Sequence, residues 1–138
     1  MLRGADANDA RGAAAIVGAV LDSPEIEAGH PHQGDFRWLV DDPEVVELDA
    51  VQFVLRKPLP LLVQYADRLP TALLQCCRAA LELTLAEEAR LEVAPTYTNI
   101  HLVSLLALVA GGEWLSDTHL LALGRERWAR FRGKPGGP

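Results

Sequence analysis

The chain predicts an all-α fold of stacked antiparallel helical hairpins, and three observations carry that expectation. Apolar residues recur at helical spacing over helix-length runs, most clearly at Thr71–Arg90 and 99–115. Prolines and short polar turns fall mostly between those runs, where they mark ends. Apolar–polar alternation is never sustained, so no strand competes. At 138 residues and 49% hydrophobic, the chain suffices for one domain, 1–138, with a real core.

The first helix is expected over 8–21, where an alanine-rich stretch carries Ile16, Val17, Val20 and Leu21 and ends before Pro24. Gly12 and Gly18 make it weak in isolation. Residues 22–43 form a long connection with three prolines, two glycines and two of the four histidines; long ordered connections are often functional. Asp49 followed by Gln52 has the form of a capping box, which starts the second helix at Ala50. Pro58 and Pro60 each remove a backbone donor, so the pattern to Tyr65 is either one bent helix or two short ones.

Pro70 suits a first turn, and the third helix, Thr71–Arg90, places Leu73, Leu74, Cys77, Leu81 and Leu85 on one face, with Gln75, Arg78, Glu82 and Glu88 assigned to the other. Thr96 or Thr98 is the expected cap of the fourth helix. That helix, 99–115, is apolar nearly all round, the pattern of a helix covered on every side. Ser116 and Asp117 supply a turn and cap, and the fifth helix runs over Thr118–Arg132 before a flexible tail at 133–138. The fourth and fifth helices should form a short-looped antiparallel hairpin.

The formal net charge of -6 argues against affinity for nucleic acid or acidic membranes, which select a basic face. The apolar run at 13–21 is too short to span a bilayer and lacks the flanks of a secretory signal, so a cytoplasmic location is the default expectation. Cys76 and Cys77 are neighbours on a helix, point about 100° apart and read as reduced, half-buried residues.

Four clusters hold polar chemistry. His30 and His32 could share a metal ion, but no cysteine or third ligand accompanies them, and loop histidines are the plainer reading; no metal or cofactor is expected. Tyr97, Thr98, Asn99 and His101 open the apolar fourth helix; they either cap it or face a cleft at its N-terminus. Phe36, Arg37 and Trp38 suit stacking on sugar rings and gripping a carboxylate, or pin the long loop to the helices. Arg125, Arg127, Arg130, Arg132 and Lys134 read as a solvated, capping face at the end of the last helix rather than an anion-binding patch.

Three stretches, Gly34-Asp35-Phe36-Arg37-Trp38, Tyr65-Ala66-Asp67-Arg68-Leu69-Pro70 and Tyr97-Thr98-Asn99-Ile100 leading to Gly112-Glu113-Trp114-Leu115-Ser116-Asp117, together resemble the heparinase and alginate-lyase-like (α/α) toroid proteins over roughly 31–131. The resemblance implies inner and outer helices around a substrate cleft, and β-elimination on uronate polysaccharides. Tyr97 and His101 would then be the catalytic positions, with Asn99, Arg37, Trp38 and His32 binding substrate. His101 stands where the family pattern has a small apolar residue.

A whole toroid needs about a dozen helices, more than this chain supplies. The resemblance therefore implies part of a toroid, completed by further helices or by self-association, with a carbohydrate as ligand. The alternative from the residues alone is a non-catalytic helical interaction module that self-associates or binds another chain.

Overall fold

The computed structural model describes residues 12, 15, 18–20, 24, 27–37, 41–45 and 50–133. Within the expected first helix, Gly12, Ala15, Gly18, Ala19 and Val20 are helical. The elements that follow are α1 (Ala50–Leu55), α2 (Pro58–Tyr65), a 3₁₀ turn (Ala66–Arg68), α3 (Thr71–Arg90), α4 (Thr98–Leu115) and α5 (Thr118–Arg132). Among the described residues there is no strand; an isolated antiparallel bridge joins Pro24 to Phe36. The chain is all-α, as expected.

The prolines split the second apolar run into two helices. Pro58 opens α2, where its missing N–H costs nothing and its fixed φ suits a first turn. Of the expected capping box, Gln52 sends its amide to Glu88 across the core, and Asp49 lies outside the described residues. Neither Thr96 nor Thr98 caps α4, because Tyr97 occupies the cap position and makes no side-chain cap bond. At the other end Ser116 takes the left-handed conformation at φ 60°. Asp117 then accepts from the amides of His119 at 2.8 Å and Leu120 at 3.1 Å, satisfying two orphan donors of α5.

The core draws Phe36 from the long connection, Val51 and Leu55 from α1, Leu59 and Leu62 from α2, Cys77, Leu81 and Leu85 from α3, Ala107 and Leu108 from α4, and Leu120 from α5. Burial pushes the Cys77 thiol up, with Cys76 adding to the rise, whereas Cys76 itself is exposed; both are free, so the two do not share a half-buried setting. Helices α4 and α5 run antiparallel: Gly112 lies against Leu121, Gly124 against Leu108 and Val109, and the His101 ring stacks on Phe131 with centroids 5.3 Å apart. Gly124 sets their separation, since a Cβ there would stand 2.8 Å from Val109 Cγ2.

Helix α4 is long and apolar enough to cross a membrane by length and composition, but half of it is buried against its own chain. It is not covered on every side, as its composition had suggested. Ile100, Ser104, Leu105, Leu108 and Gly111 face inward, while Leu102, Leu106 and Val109 are exposed.

Candidate functional site

The sequence candidates scatter in character. Tyr97 and Asn99 are exposed in the first turn of α4. His101 is 3% exposed: its Nδ1 lies 3.0 Å from the Val93 carbonyl oxygen, and its ring stacks on Phe131. Because a carbonyl can only accept, Nδ1 is the protonated nitrogen of that pair. Asn99 and His101 are two positions apart on one helix and so face different ways, one to solvent and one to the core.

Arg37 is exposed and Trp38 lies outside the described residues. His32 is half-buried in a turn, with its ring 5.8 Å from that of His30. Its amide donates to His30 Nδ1 at 3.2 Å, so one nitrogen of His30 is already engaged. Among the described residues no group of three or more histidine, cysteine or acidic side chains could hold a metal.

A cleft of about 370 Å³ opens between α3 and the α4–α5 turn, and none of the five described sequence candidates lines it. Its walls include Glu82, Arg90, Asp117 and His119. Three of these are already engaged: Glu82 with Arg78 at 3.5 Å, Arg90 with Glu87 at 2.8 Å, and Asp117 as the cap of α5.

A more organised polar group lies inside the molecule. Glu88, assigned to the solvated face of α3 from its sequence, is fully buried at 0% exposure. It lies seven residues after Leu81 and so on the Leu81 side of the helix. Its Oε2 accepts from Gln52 Nε2 of α1 at 2.6 Å.

Arg127 also departs from expectation. It leaves the solvated arginine face and sits 6% exposed, donating from Nη2 to the Ala89 carbonyl at 2.7 Å and from Nη1 to the Glu88 carbonyl at 3.5 Å and Ser104 Oγ at 3.4 Å. Glu88 and Ala89 belong to the last turn of α3, whose carbonyls have no partner within the helix. A side chain of α5 therefore caps α3. Burial lowers the Arg127 pKa, and the Glu88 charge opposes that change. Arg130 stays outside, paired with Glu92 at 3.0 Å, and Lys134 lies outside the described residues.

The long connection reaches the same region. Gly34 has φ 95°, and a Cβ there would stand 2.5 Å from the Leu83 carbonyl oxygen, so the close approach to α3 requires glycine. Asp35 follows it fully buried, with Oδ1 accepting from the Phe36 amide at 2.9 Å.

No protein-family model, curated protein or solved structure matches the chain.

The outer face of α4 completes the picture. Leu102, Leu106 and Val109 stand at i, i+4 and i+7, a single stripe, and are 41%, 41% and 36% exposed. Val109 borders α5 at Gly124, and Trp128, one turn beyond Gly124, is 43% exposed. Glu113 is exposed at the C-terminal end of the stripe, and Arg125 and Arg132 are exposed on α5. Because the helices are antiparallel, Arg132 lies at the N-terminal end of α4. Glu113 thus stands at one end of the apolar stripe and Arg132 at the other, with Arg125 between them. The sequence concealed the stripe, since a helix apolar all round does not say which side is left open.

Proposed function

We propose that the chain is a helical interaction module that pairs with a second copy of itself through the outer face of the α4–α5 hairpin. The observation that carries this reading is the exposed stripe of Leu102, Leu106 and Val109 beside Trp128. Apolar residues at this spacing are what another helix packs against. The charges favour a twofold, antiparallel partner: Glu113 of each copy then meets the Arg132 end of the other. The side chains of the stripe itself are apolar, and in this reading the module acts by binding.

Sedimentation of the full chain at micromolar concentration tests the reading. A dimer that Leu106→Lys converts to a folded monomer supports it, and a monomeric wild-type chain removes it.

A second reading follows from the toroid resemblance, in which further helices complete a ring and a uronate polymer binds at the start of α4. It is favoured by Tyr97 and Asn99, which stand exposed at the N-terminal turn of α4, where free N–H groups attract a carboxylate. Its test is the absorbance of unsaturated product with a panel of uronate polymers. No product and no binding to any of them would leave the interaction module alone.

A further inference from the structure

The Glu88–Gln52 pair has an unmatched half. Glu88 Oε2 accepts from Gln52 Nε2 at 2.6 Å, while among the described residues Glu88 Oε1 and Gln52 Oε1 make no hydrogen bond. With Glu88 ionised, both of these atoms are acceptors and neither can satisfy the other. One proton on Oε1 changes that: the acid O–H donates to the amide oxygen while the amide N–H donates to Oε2. A carboxylic acid and a primary amide match each other in this way through two bonds. The terminal torsions of Gln and Glu are broad, which leaves both groups free to rotate towards a second bond.

Burial favours the neutral acid and outweighs the opposing pull of the Ser104 hydroxyl, Arg127 and Gln52. Arg127 of α5 directs its donors at the Glu88 and Ala89 carbonyls and at Ser104 of α4. Asp35 of the connection brings a second negative charge towards Glu88. Glu87, the neighbour on α3, is paired with Arg90. The element packed from the α1 side brings the uncharged Gln52.

We propose that Glu88 is a proton-dependent latch: as the neutral acid it closes a two-bond ring with Gln52 that fastens α1 to α3, and its ionisation loosens that contact. Burial pushes the Glu88 carboxyl up to about 7 from 4.5; the Ser104 hydroxyl, Arg127 and Gln52 pull it down, and Asp35 adds to the rise. A carboxyl raised in the folded state contributes stability that is fully present below its unfolded value near 4.5 and is lost as pH rises through about 7. Between about pH 5 and about pH 8 this one group should lower the folding equilibrium constant on the order of a hundredfold.

Urea unfolding of the full chain across that pH range, wild type against Glu88→Gln, isolates the contribution of this one group. Glutamine keeps the shape and pairs with Gln52 at every pH, so the variant should lose the hundredfold decline. A variant with the wild-type pH profile would overturn the latch. Should Glu88→Gln not fold, the carboxyl-carbon NMR titration of wild type decides. A midpoint near 7 with amide exchange in α1 rising in step supports the latch, and an ordinary midpoint or unchanged α1 protection overturns it. Neither result bears on the α4 surface, which the dimer measurement tests separately.

Discussion

The two long sides of the α4–α5 hairpin differ in a way opposite to expectation. Its inner side meets α3 through Arg127, Ser104 and the fully buried Glu88, and its outer side offers Leu102, Leu106, Val109 and Trp128 to solvent. Charge inside is costly and is tolerated where hydrogen bonds replace water; Arg127 meets that condition in part, its Nη atoms holding two carbonyls of α3 while its Nε makes no hydrogen bond among the described residues. Apolar surface outside forgoes burial at about 2.5 kcal/mol per 100 Å². The inner side is thus joined within the chain, and the outer side, in the proposed reading, is one half of a joint.

The largest effect should come from the inner joint. Arg127→Met keeps much of the volume but leaves the Glu88 and Ala89 carbonyls without a donor, and is expected to cost about 3 kcal/mol in urea unfolding. Arg125→Met, at an exposed position on the same helix, should cost less than about 0.5 kcal/mol. Equal costs would mean that the buried guanidinium contributes no more than a surface charge.

Gly34→Ala should follow at about 2 kcal/mol, because the φ of 95° and the Leu83 carbonyl both resist a Cβ. The same change at Gly29, which has φ 84° and open space around it, carries the conformational penalty alone, about 1 kcal/mol. The difference between the two reads how tightly the connection is pressed onto α3.

A smaller effect, about 1 kcal/mol, is expected for His101→Phe, which preserves a ring against Phe131 and removes the bond to the Val93 carbonyl. Loss of stability with uronate binding unchanged would give His101 a structural role. Loss of uronate processing at unchanged stability would support the toroid reading and weaken the contrast between the two sides.

Much of the frame was legible in the sequence. Pro58 and Pro60 announced a break, Pro70 a start, and Ser116-Asp117 a turn and cap, because each acts through its own backbone chemistry. The joints were less legible. Glu88 belongs by spacing to the Leu81 face, but its charge argued for solvent, and what holds it there is a glutamine 36 residues earlier in the chain. Arg127 looked like one of several arginines at a helix end until α3 was seen to finish beside it. His101 gave a polar signal at the start of α4, yet its partners are a loop carbonyl and a phenyl ring that no local pattern reveals. The open side of α4 could not be assigned from a helix with apolar residues in all directions.

The outer joint carries the central claim, and it is tested most directly by sedimentation velocity on the wild type and on Leu106→Lys, with circular dichroism to confirm that both are folded. Leu106 is 41% exposed, so the substitution should change the stability of the isolated chain by no more than about 0.5 kcal/mol. The account predicts a wild-type dimer at micromolar concentration and a variant that is a folded monomer. A wild-type chain that stays monomeric, or a variant that remains dimeric, would contradict it.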